Sequence, residues 1–236
     1  MTPEIHLEDK TIIIAIEDEY GFKLSEKKSI KNSVGYQLRD GKVVGLGLSR
    51  KQISALKSVF LLKNLEILDL SKNILTHIPD EINQLKNLKS LRLSGNSLTE
   101  INKNINKLCA LEDLWLGGNQ ITLLPDELYE LESLKNLGLG ENQLVRISDG
   151  ISNLTNLNKL WLAKNKLVLI PNGLYNLKGL RKLDLKNNKL TYIKDDIGNL
   201  FNLNHIDLSN NSITDIPESI VHLSKLTDLS LNNNEI

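Results

Sequence analysis

The sequence predicts an α/β solenoid, in which short parallel strands stack into one sheet and short helical or 3₁₀ segments line the opposite side. Three observations predict it. An eleven-residue phrase, Leu-x-x-Leu-x-Leu-x-x-Asn-x-Leu, is clearest at residues 65–75 and returns every 23 residues, starting at Leu88, Leu111, Leu134, Leu157, Leu180, Leu203 and Leu226. A fixed period of roughly 20–50 residues decides the architecture, because each unit buries its apolar face only against its neighbours. Within each unit the apolar period changes from alternation to a three-residue spacing. A non-repeating segment precedes the series, as the exposed end of an open stack requires.

Taken in order, residues 1–42 read as an N-terminal cap and residues 43–236 as about nine repeats, the last incomplete and without a C-terminal cap. Residues 7–20 form a predicted helix with an apolar stripe through Ile12, Ile13 and Ile16, closed by Gly21. A strand over 33–38 follows, then Asp40-Gly41, a dipeptide that tolerates positive φ in a two-residue hairpin turn. The returning strand, 43–48, opens a degenerate first repeat with Lys51 where the others carry asparagine. The helix is expected to cover the core end and the hairpin to shield the first strand's edge.

In each full repeat the alternating leucines read as a short strand with those side chains in the core. The asparagine sits in the turn that follows, where its amide can bond backbone groups left unpaired by the bend. Stacked copies from Asn73 to Asn234 then predict a ladder of such bonds. The second half, as in Ile78-Pro79-x-x-Ile82-x-x-Leu85, suits a short helix or 3₁₀ segment on the outer side.

These residues carry a resemblance to the leucine-rich repeat family, in its 23-residue form with the second-half phrase Leu-Thr-x-Ile-Pro-x-x-Ile-x-x-Leu. Residues 75–85, Leu-Thr-His-Ile-Pro-Asp-Glu-Ile-Asn-Gln-Leu, match that phrase, and the resemblance covers about residues 43–236. The subtype resembles that of scaffolds of the Scribble and Ras-suppressor kind, of bacterial repeat proteins, and of the repeats preceding Roco GTPase domains. The resemblance implies a curved right-handed horseshoe with a parallel sheet on a concave, protein-binding face.

A longer period overlies the first. Pro79, Pro125, Pro171 and Pro217 are 46 residues apart, as are Trp115 and Trp161, and Tyr129 and Tyr175. Growth by duplication of repeat pairs accounts for this pattern.

Composition excludes several functions. Lysine plus arginine and aspartate plus glutamate each number 29, so no net field draws nucleic acid or an anionic membrane. The run Ile12-Ile13-Ile14-Ala15-Ile16 is too short to span a bilayer, and without a basic segment before it and with Glu17-Asp18-Glu19 after it, it is not a signal peptide. Cys109 is the single cysteine and cannot form a disulfide-bonded cap, so a reducing, cytoplasmic compartment is expected.

No phosphate-loop or His-Glu-x-x-His motif occurs, and Gly45-Leu46-Gly47 and Gly138-Leu139-Gly140 lie in repeat strands without the helix start a phosphate needs. The four histidines lack ligand spacing, so neither catalysis, a metal nor any other cofactor is expected. Cys109 reads as a bystander thiol on the convex edge rather than a nucleophile, and Asn153-Leu154-Thr155 and Asn210-Asn211-Ser212 are chance sequons in an asparagine-rich repeat.

The candidate site is the set of variable strand residues that alternation sends to the concave face. One column runs Arg92, Trp115, Gly138, Trp161, Asp184, Asp207, and the other Asp113, Asn136, Lys159, Lys182, His205. In-register strands lie ~4.8 Å apart, so the tryptophans should stand roughly 10 Å apart with Gly138 as the floor of a slot between them. Rigid aromatics with polar rims are the make-up of an interface hot spot. Cation–π contact of Lys159 or Lys182 with Trp161 is a second use of the same residues. Asp184 and Asp207 should be neighbours on a solvated face with Lys159, Lys182 and His205 close by.

The expected function is therefore a non-catalytic module binding a protein or peptide on the concave face. Two further expectations are a sensor arm of a larger enzyme such as a Roco-type GTPase, and self-association through a C-terminal edge carrying Leu226, Leu229, Leu231 and Ile236.

Overall fold

The computed structural model describes residues 4–236; residues 1–3 of the predicted cap lie outside the described residues. The chain forms the predicted solenoid around one parallel sheet. Helix α1 spans Leu7–Tyr20, and the strands are β1 (Val34–Arg39), β2 (Lys42–Leu48), β3 (Ile67–Asp69), β4 (Ser90–Arg92), β5 (Asp113–Trp115), β6 (Asn136–Gly138), β7 (Lys159–Trp161), β8 (Lys182–Asp184), β9 (His205–Asp207) and β10 (Asp228–Ser230). They line up in sequence order, with β1 antiparallel to β2 and every later pair parallel. Between strands, each coil carries one short 3₁₀ segment, such as Asp126–Glu130 or Asn172–Asn176, on the outer side.

Helix α1 ends where the sequence places its stop: Gly21 takes φ 70°, in the left-handed region that favours glycine, and its N–H closes on Glu17 O. Ile12, Ile13 and Ile16 are buried against the first coil, which includes Val59 and Phe60. The Asp9 carboxylate, also buried, accepts the Val43 N–H at 2.7 Å and so anchors the helix to β2. Strand β1 starts and ends one residue later than the alternation predicts, with an irregularity in pairing between Gln37 and Leu38. Asp40 and Gly41 take φ of 51° and 76°, as the two-residue hairpin requires. The outer edge of β1 is blunted by residues 25–27, where Tyr36 N–H donates to Ser25 O and Lys27 N–H to Tyr36 O. Gly35 permits this approach, since a Cβ there would stand 2.2 Å from Ser25 O.

The core is a column of leucine and isoleucine repeated coil after coil: Leu88, Leu91 and Leu93 in one, Leu111, Leu114 and Leu116 in the next, all essentially inaccessible. Removing such a side chain from water contributes about 1.5–3 kcal/mol each, which outweighs any single polar term in the stack. The asparagine ladder supplies the complement. Asn142 Nδ2 donates to the carbonyls of Leu139 and Leu116, each at 3.0 Å, and its Oδ1 accepts the Ile121 N–H at 3.0 Å. One side chain thus closes its own turn and ties it to the preceding coil. The pattern recurs through Asn165, Asn188, Asn211 and Asn234. Lys51 needs no such amide of its own, because Asn73 Oδ1 accepts the N–H groups of both Lys51 and Ile53.

Candidate functional site

The strand pairing makes the two concave columns real. Arg92, Trp115, Gly138, Trp161, Asp184 and Asp207 are successive cross-strand partners, and so are Asp113, Asn136, Lys159, Lys182 and His205. Every member comes from a three-residue strand whose central leucine or isoleucine is buried, which turns its flanking residues to the open face.

Three details differ from the sequence expectation. The tryptophans do not flank an open slot. Their ring centroids are 4.8 Å apart with the planes tilted by 43°, so the rings close over Gly138. Gly138 has no side chain to hold them apart, and a Cβ there would stand 2.6 Å from Trp115 Cε3. Offset contact between the rings is worth about 0.5–1.5 kcal/mol beyond the area it buries, and it is available only because the intervening residue is glycine. The result is one aromatic platform, half-buried at both residues.

The predicted cation–π contacts are also absent among the described residues; the one such contact places Lys51 over Phe22 at 4.5 Å. Finally, Asp184 and Asp207 are neighbours, but their cation is Lys186, whose Nζ lies 3.8 Å from each, rather than Lys159, Lys182 or His205. Lys186 is two residues beyond Asp184 and leans back across both strands. The carboxylates are further engaged by backbone: Asp184 accepts Lys186 N–H, and Asp207 accepts Ser209 N–H and Oγ–H. His205 faces Asp228 instead, at 3.9 Å.

The concave face is therefore divided by charge. Its carboxylates are occupied, Asp113 by the Asn136 amide at 2.6 Å and the others as above. Arg92, Lys159 and Lys182 meet no carboxylate among the described residues. Beside the platform, Gly117, Gly140 and Ala163 leave a shallow groove of about 530 Å³ bounded by Trp161, Lys72, Lys164 and Lys186.

The first concave positions are not free. Ile30 is buried over Gly45 and Gly47, where an added Cβ would meet its side chain at 2.7 and 3.1 Å, and Asn32 N–H donates to the Asp69 carboxylate at 2.8 Å. The segment before β1 thus covers the start of the face and leaves it open from β4 onward. Sequence reasoning missed this because Ile30 lies outside any repeat.

A second groove, of about 760 Å³, runs along the flank of the coil, where Leu123, Leu169 and Tyr192 are exposed around Arg146. The signal was legible as another column: His77, Glu100, Leu123, Arg146, Leu169, Tyr192, Asp215 carries its apolar side chains at Leu123, Leu169 and Tyr192, around Arg146. Cys109 is exposed and its Sγ–H donates to Asn106 O at 3.6 Å. At the last strand Leu229 and Ile236 are exposed, while Leu226 and Leu231 pack partly against the core. Among the described residues there is no cluster of metal-ligating side chains and no helix long and apolar enough to cross a membrane.

Comparison with known proteins agrees with this geometry. The family described as "leucine-rich repeat region" matches residues 45–186, and that described as "leucine rich repeat" matches residues 178–236. No curated protein matches the chain. Among solved structures, a leucine-rich repeat protein of Leptospira interrogans superposes with a TM-score of 0.75 at 41% identity, over 77% of this chain and 46% of that one. The leucine-rich repeat ectodomain of the Arabidopsis thaliana membrane receptor kinase GASSHO1/SCHENGEN3, solved in complex with Casparian strip integrity factor 2, gives 0.71 at 35% identity, over 84% of this chain and 24% of that one. The chain thus spans less than half the length of either. An internalin C2 of Listeria monocytogenes gives 0.70 at 22% identity over 97% of this chain and 85% of its own, a likeness of fold alone.

Proposed function

We propose, on the premise that the chain belongs to the leucine-rich repeat family, that it is a non-catalytic binding module reading a protein or peptide with its concave sheet from β4 onward. Leucine-rich repeat domains generally mediate protein–protein interaction, and one solved relative is a receptor ectodomain in complex with the factor named above. The observation that carries the proposal is the Trp115–Trp161 platform. Large, rigid, half-exposed aromatics at the centre of an open face supply contact area at little entropic cost, and alanine scans find such residues dominant at interfaces. A structural role alone would have placed them inward, where leucine or isoleucine occupies every equivalent position.

The test is capture from native lysate with wild type beside Trp115→Ala/Trp161→Ala, and with Leu123→Asp/Leu169→Asp as a variant of the flank groove. A partner lost by the tryptophan variant and kept by the groove variant is expected. The reverse pattern would move the site to the flank. Circular dichroism should show all three folded, because none of these side chains is a core residue. The lone exposed thiol of Cys109 supports a cytoplasmic setting, to be checked by fractionation of the native cell.

A further inference from the structure

We infer that the occupant of the concave face is an acidic peptide in extended form, with an apolar side chain on the Trp115–Trp161 platform and carboxylates on Lys159, Lys182 and Arg92. The inference rests on the concave-face reading above and adds the chemistry of the ligand.

Its basis is a set of cations that the chain does not pair internally. Lys159 and Lys182 are direct cross-strand partners. Strand spacing brings such residues to ~4.8 Å, and like charges placed opposite one another destabilise a sheet. The obvious relief would be a neighbouring carboxylate. Asp184 and Asp207 lie within the same patch, yet both are held by Lys186 and by backbone N–H groups, and Asp113 is taken by Asn136. Arg92, the cross-strand partner of Trp115, is likewise without an ion pair among the described residues. Cations therefore flank the aromatic pair, Arg92 on one side and Lys159 with Lys182 on the other, while the nearby carboxylates are bonded to other groups.

The chain as a whole carries 29 basic and 29 acidic residues, yet these three cations have no ion-pair partner among the described residues. A ligand that brings carboxylates supplies one, and steering by complementary charge raises the rate of encounter. An extended backbone suits the face because residues alternate to opposite sides: two acidic side chains separated by one residue project the same way, about 6.6 Å apart.

The test is selection from a random dodecapeptide library displayed on phage, against the intact chain, its Lys159→Glu/Lys182→Glu variant and its Trp115→Ala/Trp161→Ala variant. Wild type should enrich aspartate and glutamate around an apolar residue at least about twofold over the naive library. The glutamate variant should enrich lysine and arginine instead. A synthetic copy of the selected acidic peptide should bind the glutamate variant at least about tenfold more weakly, and wild type more weakly as salt is raised. Neutral or basic peptides from wild type, or no enrichment, overturn the acidic ligand; if binding still falls in the tryptophan variant, the concave-face reading stands. Peptides retained equally by all three proteins overturn both.

Discussion

Gly138 and Gly173 are both too crowded for a side chain, but for different reasons, and the difference decides what substitution does. At Gly138 an added Cβ would stand 2.6 Å from Trp115 Cε3, a ring atom of a half-exposed side chain that can turn towards solvent. At Gly173 it would stand 2.0 Å from Asp149 O and 2.7 Å from Asp149 C, atoms of the neighbouring coil's backbone. Gly173 N–H also donates to the Asp149 carboxylate at 2.9 Å, so the two coils are fixed together at that point. Gly138→Ala should cost less than about 1 kcal/mol and separate the rings, seen as loss of the near-ultraviolet dichroism of a coupled tryptophan pair. Gly173→Ala should cost at least about 1–3 kcal/mol in urea unfolding, the range for overpacking against atoms that cannot move aside. Equal costs at the two positions would refute the distinction.

The alternation of repeats has a physical content beyond duplication. In proline-bearing repeats the 3₁₀ segment begins after Pro125 or Pro171, whose ring presets φ and which has no N–H to satisfy. The intervening repeats put Ser148 and Lys194 there, each with an N–H, and the hydroxyl of the preceding repeat's tyrosine accepts it: Tyr129 from Ser148, Tyr175 from Lys194. Tyrosine in one repeat and non-proline in the next therefore belong together. A double-mutant cycle measures the pairing. Tyr129→Phe should cost about 1 kcal/mol in the wild-type chain and near zero once Ser148→Pro has removed the donor, since Ser148 already holds φ −72°. Additive costs would refute it. Burial also pushes both phenols up to about 12 from 10.0, so the folded chain favours the neutral form. Their contribution is complete below pH 10 and is lost as pH rises towards 12, because the unfolded chain ionises first. The urea midpoint should therefore fall across that interval, less steeply in Tyr129→Phe/Tyr175→Phe, with the residual slope shared by Tyr20, whose phenol is also raised by burial, and Lys23, whose ammonium is raised by its bond to Glu17.

A strict repeat makes long-range structure readable as arithmetic. Residues 23 apart share a column, so the register of β3 to β10, the asparagine ladder and the membership of the concave face all follow from counting. What counting does not supply is side-chain direction. Trp115 and Trp161 lean together, and Lys186 rather than Lys159 serves the two aspartates, because rotamers answer to local space rather than to register. Nor does it reach the unrepeated segment, where Ile30 covers the first concave positions. The same one-dimensional design governs stability, since each coil is held only by its neighbours and the ends differ. At the first coil α1 buries Ile12, Ile13 and Ile16. At the last, the 3₁₀ segment Glu218–His222 buries none of its residues, and Leu229 of β10 is 41% exposed where the equivalent Ile206 of β9 is 0%. Opening of the last coil in this 236-residue chain uncovers the core of one coil alone, whereas global unfolding uncovers that of every coil, so it should occur far more often than global unfolding. Amide exchange should show it: Thr227 N–H and Leu208 N–H, bonded to Asn204 O and Ser230 O, should exchange on the order of a hundredfold faster than Leu116 N–H, bonded to Gly138 O. Leu70 N–H, bonded to Arg92 O near the helix-covered end, should be protected like Leu116. Equal exchange at both ends would mean that the stack opens as a single cooperative unit, and that covering the first coil confers no local advantage.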